Sequence, residues 1–190
     1  SITITNNQFR GNFKYGCYIG SSTYGAATYR RKIIISNNIF DIANNSTASP
    51  ASHSVYVLAC EDVSITGNNF SLEDDLAGNT NDHISIYNTF NIQITNNIFN
   101  WDVISATTAP YPRAIYLNYA VLAGAQAQAI ITGNVGRLSS AAPLRWIQVA
   151  SANANHKAIV NDNKWGVAAT DKDEDTPAHW KHSGTATMVA

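Results

Sequence analysis

Carboxylates and a histidine crowd one short stretch of this chain. Glu73, Asp74 and Asp75 are followed by Asp82, and His83 comes directly after it. Asp102 and Arg113 lie one loop further along. Two carboxyl groups about 5–10 Å apart, one protonated and one ionised, form the acid–base pair that breaks a glycosidic bond. Asp82 with Glu73, Asp74, Asp75 or Asp102 can supply such a pair. A base beside a cation can instead take a proton next to a carboxylate and hold the resulting anion. His83 or Tyr116 is then the base and Arg113 the cation. The oxygens of Glu73, Asp74 and Asp75 can also hold Ca²⁺, although the run lacks the alternating spacing of a calcium loop. No other cofactor is implied. The plain alternative is an acidic loop that keeps an edge hydrated.

These residues sit within a repeat. The phrase Ile2-Thr-Ile-Thr-Asn-Asn-Gln-Phe9 returns as Ile33-Ile-Ile-Ser-Asn-Asn-Ile-Phe40, Val63-Ser-Ile-Thr-Gly-Asn-Asn-Phe70 and Ile92-Gln-Ile-Thr-Asn-Asn-Ile-Phe99. Ala129-Ile-Ile-Thr-Gly-Asn-Val-Gly136 and Ala158-Ile-Val-Asn-Asp-Asn-Lys-Trp165 are looser copies. A repeat of this length means one structural unit stacked on copies of itself. Within the phrase, apolar residues alternate with polar ones, which is a short strand. The Asn-Asn or Gly-Asn after it tolerates the left-handed backbone of a sharp corner. The Phe opens a further strand. A third run recurs between the phrases: Cys17-Tyr-Ile-Gly20, Ser54-Val-Tyr-Val57, His83-Ile-Ser-Ile86, Ala114-Ile-Tyr-Leu117 and Trp146-Ile-Gln-Val149. No stretch has a helical period.

Three short strands per turn, stacked in register, give three parallel sheets wound into a coil. At ~4.8 Å per coil, about six coils span roughly 29 Å. Ile4, Ile35, Ile65, Ile94, Ile131 and Val160 are expected to form one inward column, and Phe9, Phe40, Phe70 and Phe99 another. The corner residues Asn7, Asn38, Asn68, Asn97, Asn134 and Asn163 are expected to join their amides from coil to coil. The expected fold is all-β, over residues 1–168. Residues 169–190 leave the repeat and are expected to cap the last coil or contact another subunit. Their charge run Asp171-Lys-Asp-Glu-Asp175 reads as a solvated loop.

The Ile-x-Ile-Thr-x-Asn-x-Phe phrase resembles the right-handed parallel β-helix of the pectin-lyase-like superfamily. That superfamily includes pectate lyases, polygalacturonases, alginate epimerases and bacteriophage tailspikes. The likeness implies the solenoid fold and places sugar chemistry on the outer face of the third run and its flanking loops. On strict alternation, Tyr18, Tyr56, Ser85, Tyr116 and Gln148 run down that face, with His83 and Trp146 on one flank and Tyr87 and Asn118 on the other. Tyr and Trp pair a flat apolar body with a polar tip, which suits a polysaccharide. Asp82 and His83 are expected to face outward, so replacing either by Ala should leave the fold intact. The chain has no Asp-Asp with a downstream Gly-His of polygalacturonase type and no Arg-Pro signature of pectate-lyase type.

The chain has 190 residues, 45% of them hydrophobic and 13% charged, with a net charge of −1. That suits one domain with a continuous core. No basic surplus points to nucleic acid, and no apolar run reaches the length of a membrane span. Cys17 falls on an inward strand phase and Cys60 near a corner, so two thiols are expected rather than a bridge. The chain enters at Ser1 in mid-repeat. An uncapped coil exposes strand edges, so earlier coils or an N-terminal domain are expected before it.

Taken with the long loops between the runs, these features resemble a bacteriophage tailspike segment. The resemblance implies binding and depolymerisation of a bacterial surface or matrix polysaccharide by a homotrimer, on a virion tail or otherwise outside the cell. Glu73, Asp75, Asp82, His83 and Arg113 are the catalytic candidates. Tyr18, Tyr56, Tyr87, Tyr116, Asn118 and Trp146 are the substrate-binding ones. A non-catalytic shaft or adhesin segment of a trimeric fibre is the competing class. A monomeric polysaccharide lyase or epimerase is a further alternative.

Overall fold

The computed structural model describes residues 1–11, 14–20, 30–44, 53–74, 82–104, 113–119, 128–138, 145–151, 157–167, 170–172, 180–184 and 187–189. It is an all-β parallel solenoid. Strands are numbered along the chain. The first sheet contains β1 (Ile2–Thr5), β4 (Arg30–Ser36), β7 (Cys60–Thr66), β10 (Phe90–Thr95), β13 (Gln128–Thr132), β16 (Lys157–Asn161) and β20 (Thr187–Val189), in that order. The second contains β2 (Gln8–Gly11), β5 (Ile39–Asn44), β8 (Asn69–Asp74), β11 (Ile98–Ile104), β14 (Val135–Leu138), β17 (Lys164–Val167) and β18 (Thr170–Lys172). The third contains β3 (Tyr15–Gly20), β6 (His53–Leu58), β9 (Asp82–Tyr87), β12 (Arg113–Asn118), β15 (Arg145–Ser151) and β19 (Trp180–Gly184). Neighbouring strands are parallel throughout, except that β18 runs antiparallel to β17. The described strands of residues 169–190 thus extend all three sheets.

Register follows the repeat residue for residue. Ile4 pairs with Ile35, Ile35 with Ile65, Ile65 with Ile94, Ile94 with Ile131 and Ile131 with Val160. From Ile35 onward this column is fully buried. The rings of Phe9, Phe40, Phe70 and Phe99 stack in sequence, with centroids 4.7, 5.0 and 5.1 Å apart. Both expected inward columns therefore fill the core. Burying such side chains contributes about 1.5–3 kcal/mol each and is the main force holding the coils together.

The corner divides its work between two residues. Asn6, Asn37, Gly67, Asn96, Gly133 and Asp162 take the positive φ of 54–67° that turns the chain. These are the residue types that tolerate the left-handed region. At Gly67 a Cβ would lie 2.6 Å from Asn37 Oδ1, so glycine also lets the rungs close up there. The next residue is the ladder Asn. Asn68 shows the pattern: its backbone N–H and its Nδ2 both donate to Asn97 Oδ1 on the following coil, each at 3.0 Å. Its Nδ2 also donates to the Ile35 carbonyl of the preceding coil, at 3.0 Å. Asn97 repeats this toward Asn134 and Ile65, and Asn134 toward Asn163 and Ile94. Each amide thereby ties three successive coils, and its polar atoms are satisfied although it is buried.

Cys17 and Cys60 are buried thiols, as expected, and do not bridge. Burial pushes the Cys17 thiol up to about 11, which keeps it protonated and inert.

Candidate functional site

The third sheet does not alternate strictly. Tyr15 packs against Tyr18, with centroids 5.3 Å apart. His53 packs against Tyr56 at 5.4 Å, and the Arg113 guanidinium lies 3.7 Å from the Tyr116 ring centroid. Each of these partners is three residues along the same strand. A regular strand would put them on opposite faces. They share the outer face because two consecutive residues between them turn inward, Ser54 and Val55 in β6 and Ala114 and Ile115 in β12, all buried; His83 and Ile84 do the same between Asp82 and Ser85. The ladder pairing also skips this point, passing from Tyr15–His53 to Cys17–Val55.

This one-residue slip overturns the outward placement of His83 and Trp146. Both are buried, and Trp146 belongs to the hydrophobic core. The His83 ring lies 5.7 Å from the Phe70 ring and 5.5 Å from Phe99, within the aromatic column. Its Nδ1 is 3.4 Å from Ser54 Oγ. A base expected at His83 would need to reach the outer face, and this side chain does not. Burial drives its pKa down to about 3, outweighing a hydrogen bond to the Asn100 backbone and the Asp82 charge. The ring is therefore neutral at physiological pH. In proton NMR its resonances should hold still between about pH 5 and pH 8, where an ordinary histidine titrates. Because unfolding returns the ring to an ordinary pKa of ~6.5, the unfolded state binds the extra proton, and His83 lowers stability as pH falls below that value. His83→Ala should cost about 3 kcal/mol in urea unfolding, as a core ring is lost from between two Phe residues. A His83 signal that moves with pH, or a cost under about 1 kcal/mol, would contradict this packing.

Asp82 does sit on the outer face, yet it is fully buried. That corrects the expectation that its replacement is harmless. Its Oδ1 accepts from Arg113 Nε at 2.6 Å and its Oδ2 from Arg113 Nη2 at 3.0 Å, a two-pronged pair across β9 and β12. His53 Nδ1 is 3.3 Å from Asp82 Oδ2, within ion-pair range but outside hydrogen-bond geometry. Burial works against the charged carboxylate, but His53 and the Arg113 cation outweigh it and hold its pKa below the ordinary range. Arg113 Nη1 also donates to Gln148 Oε1 of β15 at 3.3 Å. One arginine thus clamps three rungs of the sheet.

Beside this polar group runs a tyrosine row. Tyr18 and Tyr56 stack at 5.3 Å, nearly parallel. The next position down is Ser85, and the small side chain leaves room for Tyr87 to lean in against Tyr56 at 5.2 Å. Tyr87 meets Tyr116 edge-on at 5.6 Å. Asn118 Nδ2 donates to the Tyr116 hydroxyl at 2.9 Å. Burial, aided by neighbouring Tyr116 and Asp82, pushes Tyr87 up to about 12, so it remains a phenol. Tyr18 is half exposed, and Tyr56, Tyr87 and Tyr116 are partly so.

His53 is the residue that sequence reasoning missed. Register aligns Tyr15, His53, Asp82 and Arg113 as one column. Three adjacent copies of the repeat thus place a titratable group at the same phase, which was the available signal. The side chains of Glu73, Asp74 and Asp102, and all of Asp75, lie outside the described residues, and so does the Ca²⁺ site expected there. Among the described residues, no group of three metal-ligating side chains comes together, and no helix is long and apolar enough to cross a membrane. Comparisons with protein-family models, curated proteins and solved structures find no match.

Proposed function

We propose that the outer face of the third sheet binds an extended polysaccharide lying along the solenoid axis. The observation that carries this reading is the continuous row Tyr18, Tyr56, Tyr87 and Tyr116, at ring spacings of 5.2–5.6 Å and open in part to solvent. The rings stack on one another, so they offer a chain of sugars mainly their edges and hydroxyls. The repeat phrase, similar to that of the pectin-lyase-like superfamily, supports the same class of ligand. Within that superfamily the nearest analogy is a homotrimeric tailspike segment acting on a bacterial surface or matrix polysaccharide, on a virion tail or outside the cell.

Depolymerisation is the second part of the reading and rests on less. Asp82 is bound twice by Arg113 and is held ionised, so it is poorly suited to act as a general acid. Bond cleavage would draw on the carboxylates Glu73, Asp75 and Asp102. One observation favours the fibre-segment alternative. Ile130 and Ile159 pair on adjacent rungs of the first sheet, and both are exposed. Such a contact suits another protein surface.

The test is a panel of capsular, O-antigen and uronate polysaccharides. Affinity electrophoresis should retard the protein in at least one, and Tyr56→Ala should weaken that binding about ten-fold, or ~1.4 kcal/mol. New reducing ends alone would mark a hydrolase, and reducing ends with new ultraviolet absorbance a lyase. No retardation and no cleavage across the panel would favour a fibre segment.

A further inference from the structure

Asp82 and Arg113 cancel each other, so the polar group beside the tyrosine row is neutral whenever His53 is neutral. His53 is more than nine-tenths buried, and among the described residues its Nδ1 has no hydrogen-bond partner. That nitrogen faces Asp82 Oδ2 at 3.3 Å. The ring also stacks on Tyr15 at 5.7 Å and tilts against Tyr56 at 5.4 Å. Aromatic faces attract cations. A proton arriving on His53 therefore meets a carboxylate oxygen on one side and two phenol rings on others.

The charged and titratable groups around it come from each packed element. Asp82 on β9 makes the nearest charged contact and favours the imidazolium. Arg113 on β12 lies behind Asp82 and opposes it. Lys14, just before β3, opposes it from farther off, with its Nζ 5.4 Å from the Tyr15 centroid. Tyr15 and Tyr56 are phenols. Histidine is the side chain that ordinarily changes charge between about pH 5 and 8.

We propose that His53 is a proton-operated charge switch in the tyrosine face, turning the neutral His53–Asp82–Arg113 group into a cation on acidification and so favouring anionic over neutral polysaccharides. The proposal rests on the reading of this face as a polysaccharide site. Linkage makes it reciprocal: an anionic chain bound there draws a proton onto His53. Contact with the Tyr56 ring places the new charge directly beside the tyrosine row.

The test compares dextran sulfate with unmodified dextran on the intact protein by calorimetry, at about pH 8 and about pH 5.5, while NMR follows the His53 ring. Affinity for dextran sulfate should rise about five-fold or more on acidification, in step with the His53 titration. His53→Gln should flatten that rise, and dextran should show no such rise. An affinity that is flat with pH, a rise that persists in His53→Gln, or a His53 ring that does not titrate would each overturn the switch while leaving the polysaccharide reading in place. If neither polymer binds at either pH, the switch is overturned, whereas the polysaccharide reading falls only if the capsular, O-antigen and uronate panel is silent too. The pH series on the unaltered protein stands even if the variant folds poorly.

Discussion

Asp82→Asn should lower the unfolding free energy by about 3–5 kcal/mol at pH 7, the cost of leaving a buried charge without its partner. The argument lies in what remains behind. Arg113 keeps its charge, and of the two carboxylate oxygens now at 2.6 and 3.0 Å the amide keeps one as an acceptor and turns the other into an N–H donor facing the guanidinium. Replacing Asp82 and Arg113 together by apolar residues of similar size should cost far less, because no charge is then stranded. The pair also sets a pH dependence. The folded pKa of Asp82 is depressed, so its stabilisation is fully present above the unfolded value of ~3.9 and is lost as pH falls through the lower folded value. Urea unfolding across pH 7 to pH 2 should show stability falling at the acid end, and the Asp82→Asn protein should lack that component. A cost below about 1 kcal/mol would mean that water already screens the pair.

Asn97→Ala comes second in size. Asn97 Oδ1 accepts the Asn68 backbone N–H and Nδ2, while its Nδ2 donates to the Ile65 carbonyl and to Asn134 Oδ1. Truncation strands a buried N–H and a buried carbonyl, at about 1–3 kcal/mol each, so about 4 kcal/mol in all is expected. Asn7 is the internal control. It occupies the same ladder position but is exposed; it bonds forward to Asn38 and, within its own coil, to the Thr5 carbonyl. Asn7→Ala should cost about 1 kcal/mol or less, since water can replace the missing amide. Equal losses at the two positions by chemical denaturation would show that burial does not set the ladder's strength.

Much of the fold could be read from the chain because it is written several times over. Ile4, Ile35 and Ile65 hold one phase, the Asn-Asn and Gly-Asn corners hold another, and register between copies follows directly. The candidate site was harder to read because it depends on a departure from alternation. Period-two reasoning put His83 with Tyr56 and Trp146 with Gln148 on one surface. An extra inward residue in each strand sends His83 and Trp146 to the core and brings His53, Asp82 and Arg113 out beside the tyrosines. Burial of Asp82 was not legible either, since it arises from contacts between repeats. No single copy carries the His53–Asp82–Arg113 group.

The ladder also shows where this chain can grow. Successive ladder asparagines stand 29 to 31 residues apart, except Asn97 and Asn134, which stand 37 apart and still bond at 3.0 Å. The passage from the third sheet to the first absorbs the difference. It takes one residue at Ala59 but residues 119–127 after β12. Lengthening a loop adds little closure cost, about 0.6 kcal/mol per doubling. The coil thus measures its rungs by the corner amide and not by chain length. A foreign peptide spliced in after Tyr119, which is itself part of the core, would be carried as cargo, with the rungs on either side keeping their count.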